Sequence, residues 1–445
     1  MKDIDNAIIS GIMRDCPRRT LRLRANQFLS REKLEELKNE QFLKLLKYAY
    51  ENVPLYKKKY DTAGIDISEI KDVQDISKLP ILEKEELIAG YPHDTIAKGF
   101  NLDNLTIGIT GGTTGKTLNI AYDDSTMIMR VFTSYRMFDM IANGYGKDDV
   151  HTYVYTSKFP LGDSLPDGSY PMNFICTLDD LERSKNVLLN SKPHLLTMYP
   201  SRLEDLLRVL SDQDVEMLKK NLKAICVKSE MSTQMQRDEW SQRFGVPVLD
   251  EYGSEELCGT VAAQCRNKGY HIWEDLNIVE AVNADGLSVP DGQRGELIGT
   301  NLYNYAMPLI RYRQGDLVTL HPRTLKCECG REFQMIKELE GRKNSSFRFK
   351  SGRVLSPGYL LDVGYVQLIE HRNKLNSWVL IQEKDDKVVF ECIPGEGFNE
   401  KTKNQIRESV SKLLFNEVDV EVRLAKELPV SARGKRRQII SEVAR

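Results

Sequence analysis

Between Ser30 and Tyr50, apolar residues recur at helical spacing, Leu34, Leu37, Phe42, Leu45, Leu46 and Ala49, among lysines and glutamates. That stripe predicts an amphipathic helix, and Pro54 closes it. Lys78-Leu79-Pro80-Ile81-Leu82 predicts a short extended link before a second helix, rich in Glu and Lys. The period then changes. Short β-branched runs at Val150 to Thr156, Leu195 to Tyr199, Ala224 to Val227 and Val246 to Leu249 alternate with helical patterns such as Glu204 to Asn221. Strands separated by helices predict βαβ units and a largely parallel sheet. From about Asn277 to Leu320 strands alternate with turns, marked by Asp285-Gly286, Pro290-Asp291-Gly292 and Gln314-Gly315-Asp316, which predicts a β-rich layer. After Gly341-Arg342 a smaller unit of about 100 residues begins, with strands near Trp378 to Gln382 and Val388 to Ile393, a helix over Glu400 to Phe415 and a strand at Val418 to Leu424. The expected fold is α/β: a large domain over 1–341, with layered mixed and parallel sheets, helices and a β-rich subdomain, and a small α+β domain over 342–445.

At 445 residues the chain exceeds one ordinary domain and has room for a large core. A balance of 29% charged and 41% hydrophobic residues is that of a folded, water-soluble protein, and a formal charge of −2 supplies no overall pull toward nucleic acid. Met1 to Thr20 carries charge on both sides of Ala7-Ile8-Ile9, so it lacks the apolar core of a secretory signal, and no run of about 18 apolar residues would span a bilayer. The expected setting is the cytoplasm, without membrane insertion. Eight cysteines over this length are too sparse for a disulfide scaffold and are expected to be reduced. Cys16, Cys176, Cys226 and Cys392 stand alone and read as small buried hydrophobes.

Chemistry concentrates in four places. Ile109-Thr110-Gly111-Gly112-Thr113-Thr114-Gly115-Lys116-Thr117 collects glycines, threonines and one lysine. Such a loop can wrap phosphate oxygens, because glycine admits close approach of backbone N–H groups while threonine and lysine add donors. A Walker A loop needs glycine where Thr110 stands, which weighs against a P-loop ATPase or GTPase; a structural Gly/Thr hairpin is the plain alternative. Asp250-Glu251-Tyr252-Gly253-Ser254-Glu255-Glu256 follows a strand-like run and suits a nucleotide site, where a ring stacks on a base and a carboxylate holds Mg²⁺. An acidic helix N-terminus would look the same. Arg294-Gly295-Glu296-Leu297 and Met307 to Asp316 put a carboxylate on a glycine turn, able to accept two ribose hydroxyls or to sit on a solvated hairpin. Glu427 to Arg437 is either a solvated basic tail or, with Gly434 before Lys435, a mobile but aimed cation.

A fifth cluster is metal-like. Cys265 and His271 precede the turn Cys327-Glu328-Cys329-Gly330-Arg331, and three thiolates with one imidazole complete a tetrahedral zinc shell with no open position. That predicts structural zinc, with Cys258 as a competing ligand. By itself it would also suit a zinc-binding interaction protein without activity. His93, His321 and His371 carry no pattern, while His151 and His194 border apolar runs and read as structural.

Taken in order, the four motifs resemble the adenylate-forming superfamily, and most closely its phenylacetate–CoA ligase and CapK-like branch. The resemblance runs from the Leu34 to Pro54 helix to Lys435. Thr110 to Thr117 is similar to the family's phosphate loop, usually Thr-Ser-Gly-Thr-Thr-Gly-Lys-Pro, with Gly111 and Thr117 departing from it. It implies ATP/AMP binding by Thr110, Gly111, Gly112, Thr113, Thr114, Gly115, Lys116, Glu230, Tyr252, Gly253, Ser254, Glu255, Asp316 and Arg342. In this reading Tyr252 stacks on adenine, Glu256 holds Mg²⁺, and Glu255 stands where the family has Thr or Ser. Asp316 takes the ribose hydroxyls with help from Arg342, and Lys435, Glu256 and Thr113 act in catalysis. Lys343-Asn344-Ser345 replaces the usual hinge aspartate of a mobile small domain. Cys265, His271, Cys327 and Cys329 resemble a segment of the related ligases. Phe174, Met198, Tyr199 and Val154 to Pro160 would line an acid pocket, with His151 at its border. The implied reaction is adenylation of a small carboxylic acid followed by transfer to a thiol, CoA first, with an amine acceptor as the alternative; a homodimer is compatible with it.

Overall fold

The computed structural model describes residues 21–110, 117–159, 164–165, 167–431 and 434–443. Cys16 and the rest of the N-terminal segment up to Thr20 lie outside them.

The βαβ pattern builds half of one large sheet. Strands β1 (Thr106–Ile109) and β2 (Asn119–Tyr122) form a separate antiparallel hairpin. Next come β3 (His151–Tyr155), β4 (Met172–Cys176), β5 (Leu195–Met198), β6 (Ala224–Lys228) and β7 (Val248–Ser254), ordered β7-β6-β5-β3-β4 and parallel throughout. Period-2 alternation buries both faces. In β6, Ala224 and Cys226 join the core that includes the N-terminal helix, while Ile225 and Val227 join the one beneath the crossover helices.

Beyond β7 the direction alternates. Strands β8 (Gly259–Gln264), β9 (Tyr270–Ile272), β10 (Asn277–Val282), β11 (Arg294–Asn301), β12 (Tyr312–Leu320) and β13 (Met335–Arg342) continue the same sheet antiparallel, in the order β7-β8-β9-β13-β12-β11-β10. The β-rich region expected around Asn277 to Leu320 is thus continuous with the parallel half in one eleven-stranded sheet. Strand β7 joins them, parallel to β6 and antiparallel to β8.

Ten helices among the described residues matter here: α1 (Arg31–Asn52), α2 (Pro54–Thr62), α3 (Lys84–Gly90), α4 (Asp124–Ala142), α5 (Leu181–Ser191), α6 (Pro200–Val209), α7 (Asp212–Lys219), α8 (Gln234–Phe244), α9 (Pro357–Glu370) and α10 (Glu400–Leu413). Helix α1 begins at Ser30, whose hydroxyl accepts the Lys33 N–H, and its buried face carries the expected apolar stripe with one exchange. Leu37 is only half-buried, whereas Lys38 is buried because its ammonium meets Glu35 at 2.9 Å and Glu274 at 3.2 Å. Pro54 both ends α1 and occupies the first position of α2, where its missing N–H costs nothing.

The C-terminal unit has its own core, built on β16 (Leu375–Lys384), β17 (Lys387–Pro394), β18 (Asp419–Leu424) and β19 (Ile439–Ser441), in the order β18-β17-β16-β19, with α9 and α10 packed on it. The short pair β14 (Phe347–Arg348) and β15 (Val354–Leu355) precedes α9.

One buried ion pair ties the large unit across nearly 140 residues. Arg136 of α4 donates to both oxygens of Asp275, at 2.9 and 2.8 Å, and lies over the Trp273 ring. Both side chains are essentially inaccessible. Asn26 also donates to Asp275, and Arg31 and Lys38 converge on neighbouring Glu274. Removing one member leaves an uncompensated buried charge. Asp275→Ala is therefore expected to lower unfolding free energy by about 3–5 kcal/mol, while the double variant Arg136→Met/Asp275→Leu loses clearly less; urea denaturation of both checks this, and a loss under about 1 kcal/mol for the single variant contradicts it.

Candidate functional site

The polar motifs meet at one end of the seam strand. Asp250 to Ser254 lie inside β7, not at a helix start, so the acidic-helix alternative does not hold. The ladder to β8 slips by one residue between Tyr252 and Gly253. A Cβ on Gly253 would meet Glu251 Oε1 at 2.7 Å and the Gly259 carbonyl oxygen at 3.2 Å. Glycine permits that crowded slip, and the Tyr252 ring is left at the sheet's polar end.

Tyr252 donates its hydroxyl to Asp316 Oδ2 at 2.6 Å. Asp316 stands on β12 where three residues, Gln314 to Asp316, bulge between the pairings Ile298–Arg313 and Glu296–Leu317. Gly315 supplies φ +78° there, so the glycine turn expected from the sequence is a bulge within a strand and not a solvated hairpin tip. On the other side β12 pairs Asp316 with Arg342, whose Nε lies 3.3 Å from Asp316 Oδ1. Asp316, followed by Tyr252 and Glu256, holds that guanidinium more firmly charged, despite burial. Arg342 also donates to the Gln314 carbonyl. The Ser254 hydroxyl lies 2.8 Å from Glu256 Oε2 and 2.8 Å from Gln314 Oε1. Tyr252, Ser254, Glu256, Asp316 and Arg342, far apart in sequence, form one polar group.

The hairpin β1–β2 closes against this group. Thr110 N–H donates to the Leu118 carbonyl at 2.9 Å, and its hydroxyl accepts the Leu118 N–H at 3.3 Å. Gly111, Gly112, Thr113, Thr114, Gly115 and Lys116 lie outside the described residues. At the hairpin base, Tyr122 donates its hydroxyl to the Glu255 carbonyl oxygen at 2.5 Å. A Cβ on Gly108 would stand 2.3 Å from Glu255 Oε1, so glycine is what lets the hairpin approach. The Glu255 carboxylate is held by Arg130 through two bonds of 3.0 and 3.1 Å, with the guanidinium over Tyr122.

Next to this group the parallel strands end in aromatic residues. Tyr199 caps α6, its ring 4.7 Å from that of Tyr155, and its hydroxyl lies 3.5 Å from Thr156 Oγ1. Tyr155 and Ser229 share a 2.7 Å hydroxyl contact, with Ser229 at φ +68° just after β6. Met198 and Tyr199 are fully buried and Phe174 is half-buried, but Met198 packs into the core beneath the crossover helices while Phe174 packs against the other core, so the expected pocket residues do not all share one face; Pro160 lies outside the described residues. His151 is buried, its Nε2 2.8 Å from Thr197, and burial pushes the imidazole down to about 3, so it stays neutral. His194 accepts the Val150 N–H, as a structural histidine does. The Lys435 ammonium lies 5.7 Å from the centroid of the Tyr199 ring, so the basic segment is folded back onto the large unit and is not a frayed tail. Glu230 sits at the same seam: it accepts the Ser201 N–H at 3.0 Å and the Arg436 N–H at 2.6 Å, and has no bond to the Tyr252–Asp316 group.

Just past the end of β8 opposite Gly259, the ligand atoms of Cys265, His271, Cys327 and Cys329 all lie within 4.8 Å of one another. Sγ of Cys265 and Cys327 are 3.7 Å apart, and Cys329 Sγ is 3.2 Å from His271 Nε2. The contact with Cys265, then the imidazole, draws the Cys329 thiol well below the usual thiol range. His271 Nδ1 faces the Phe333 carbonyl, which leaves Nε2 for the cluster. Cys258 is not part of it, because strand β8 puts roughly 20 Å between Cys258 and Cys265.

Two charged pairs had no motif to announce them. Lys228 at the end of β6 lies 2.8 Å from Glu251, and although burial opposes its charge, that carboxylate holds it ionised. Arg130 sits in α4, and its signal was available: it and Arg136 are the two arginines of an otherwise mostly apolar helix.

No family model matches the chain. Phenylacetate–coenzyme A ligase of Escherichia coli (strain K12) is 30% identical to it over 357 residues, covering 75% of this chain and 79% of that protein. Protein CapK of Staphylococcus aureus is 22% identical over 426 residues, covering 92% and 90%. Among solved structures, 2-hydroxyisobutyryl-CoA ligase in the postadenylation state with 2-HIB-AMP shares the fold with a TM-score of 0.75 at 18% identity, over 93% of this chain and 90% of that one. The structure of that ligase in the thioesterification state, with 2-HIB-AMP and CoA, gives 0.62 at 19% identity over 94% and 91%.

Proposed function

The chain belongs to the phenylacetate–coenzyme A ligase family, and on that premise we propose that it activates a carboxylic acid with ATP as an acyl-adenylate, releasing pyrophosphate, and transfers the acyl group to the thiol of CoA. The observation that carries the reading is the convergence of Tyr252, Asp316 and Arg342 beside the β1–β2 hairpin, with Lys435 over Tyr199.

A carboxylate is a poor electrophile, and adenylation converts it into a mixed anhydride with AMP as leaving group. The acid's oxygen forms a bond to the α-phosphorus, and the bond from that phosphorus to pyrophosphate breaks. The thiol sulfur then attacks the acyl carbon and AMP departs. No side-chain nucleophile is required, so the protein's part is placement and electrostatics. In this reading the Tyr252 ring lies against adenine. Asp316, oriented by Tyr252 and Arg342, accepts the ribose hydroxyls. The loop Thr110 to Lys116 supplies N–H, hydroxyl and ammonium donors to the phosphates, Thr113 among them. Lys435 offsets charge that gathers on the reacting phosphate. Glu256, turned by the Ser254 hydroxyl, is the residue to hold Mg²⁺, which when bound neutralises phosphate charge. Gly253 keeps the backbone open beside the nucleotide, and Glu255, paired to Arg130, supports the hairpin. The acid lies against the paired rings of Tyr155 and Tyr199.

The Cys265–His271–Cys327–Cys329 group fits structural zinc. A Cβ on Gly269 would meet Cys327 Sγ at 2.8 Å and His271 Nε2 at 3.1 Å, so glycine is what lets the backbone pass this close to two of the four donors. Four protein ligands leave no position for a substrate.

An assay of pyrophosphate release with a panel of carboxylic acids, run with CoA, with amines and with hydroxylamine, tests the reaction. Acid-dependent release, hydroxamate trapping and CoA consumption are expected. No acid-dependent signal across a broad panel overturns adenylation, and turnover with amines but not CoA reassigns the acceptor. In the same assay Lys435→Ala is expected to lower adenylation by about 100-fold or more while thiol transfer from preformed acyl-adenylate survives; equal loss of both steps contradicts the role given to that lysine. For the metal, elemental analysis of protein purified without chelator is expected to give about one zinc per chain, falling well below that in Cys329→Ser; a wild-type value near zero removes the site.

A further inference from the structure

The Lys435 ammonium is aimed by a turn that has little hold on the lysine itself. Ser431 N–H donates to the Lys435 carbonyl, and Lys435 N–H donates back to the Ser431 hydroxyl at 3.1 Å. Gly434, at φ +68°, lies so close to Thr177 that a Cβ there would stand 2.9 Å from its hydroxyl oxygen. These contacts shape the turn. A lysine has four rotatable bonds and only half-buried surroundings here, so its reach is set by where its backbone is pinned.

The pin is the next residue. Arg436 N–H donates to Glu230 Oε1 at 2.6 Å, and its guanidinium pairs with both oxygens of Asp205, at 3.0 and 3.3 Å. The other Glu230 oxygen accepts the Ser201 N–H. Tyr199, Ser201 and Asp205 all belong to α6 or its cap, so one helix carries the ring facing Lys435, the donor that orients Glu230, and the carboxylate that takes Arg436. The side chains of Arg436 and Asp205 are 12% and 14% exposed, which sets this pair apart from solvent-screened surface pairs. Arg208 extends the contact: it donates to Asp205 at 2.6 Å and to the Asn376 carbonyl of the C-terminal unit at 3.2 Å. A second contact lies further along the seam, where Tyr365 donates to Glu239 at 2.6 Å and Arg372 pairs with the same carboxylate. That contact holds the unit but does not touch the lysine turn.

We propose that Arg436, read twice by Glu230 and Asp205, is a latch that positions Lys435 for the adenylation half-reaction and has no part in thiol transfer. The three are positioning residues. The inference rests on the reading of Lys435 as the adenylation lysine.

The experiment measures the two half-reactions separately, single-turnover hydroxamate formation for adenylation and CoA acylation from preformed acyl-adenylate for transfer, in Arg436→Ala, Arg436→Lys, Asp205→Asn and Lys435→Ala, each with its thermal midpoint. Arg436→Ala and Asp205→Asn are expected to lower the adenylation rate about 10- to 100-fold, as a misplaced group does, with the KM for ATP and for the acid within about threefold of wild type and transfer undiminished. Arg436→Lys recovers part of the rate because it keeps a cation within reach of Asp205. Equal losses in both half-reactions together with a lowered midpoint would make the contact merely structural and overturn the latch. Adenylation within twofold of wild type in Arg436→Ala and Asp205→Asn, while Lys435→Ala abolishes it, also overturns the latch and leaves the lysine's role intact. Retained adenylation in Lys435→Ala instead overturns the reading on which the latch rests.

Discussion

Strand β7 has to satisfy two different hydrogen-bond ladders at once, slanted and even toward β6, perpendicular and paired toward β8. The site follows from that demand. A strand between parallel and antiparallel neighbours ends where the crossover helices stop covering the sheet, so its last residues are the ones left to be polar. The slip at Tyr252–Gly253 relieves the mismatch of the two ladders and turns the tyrosine toward Asp316. A matching irregularity on β12, with Gly315 at its centre, brings Asp316 forward. The two departures from regular pairing face each other. Neither alone would make the 2.6 Å bond, and the bond in turn holds both distortions in register.

Charge is handled in the same way throughout. Buried or half-buried ionic groups occur as pairs or small networks, as between Arg136 and Asp275, Lys228 and Glu251, or Arg130 and Glu255. The first and the last bring together elements distant in the chain, and the second ties neighbouring strands β6 and β7. Desolvation makes such pairs poor sources of net stability but strict about geometry, since an unpaired member is expensive. Apolar packing builds the four cores, and the ion pairs select how those cores meet.

The periodic part of this architecture was legible from the chain. The stripe of α1, the β-branched runs of β3, β5 and β6, and β16, β17, α10 and β18 of the C-terminal unit follow from local spacing, with bounds within a few residues of expectation, whereas α9, β14, β15 and β19 were not read from the chain. Strand β7 was half legible, because Asp250 and Glu251 interrupt its apolar run and reading stopped at Leu249; tertiary pairing with β8 carries the strand on to Ser254. Lys38 took a core position that the pattern assigned to Leu37, since a carboxylate 236 residues away waits for it. The motifs named Tyr252, Asp316 and Arg342, which the fold brings together, but not the partners of the other candidates. Glu255 meets Arg130 and Glu230 meets Arg436 across 125 and 206 residues, separations at which no spacing rule operates. Family likeness pointed to Glu230 as a nucleotide residue, and the structure adds two backbone N–H partners at the seam that the likeness did not name.

Helix α1 draws a consequence for how such a chain is made. Its lysine and arginine partners, Glu274 and the Glu332 carbonyl, lie some 240 to 300 positions downstream. During synthesis α1 therefore leaves the ribosome long before Glu274 exists, with only Glu35 of its own turn to pair with Lys38, and it must remain solvated while the parallel strands assemble behind it. It can dock only after the segment around the cysteine turn has emerged. The C-terminal unit, with contacts that are mostly its own, follows onto a nearly closed body. Helix α1 and the segment around the cysteine turn thus mature together, and a helix made early is among the later elements to be buried.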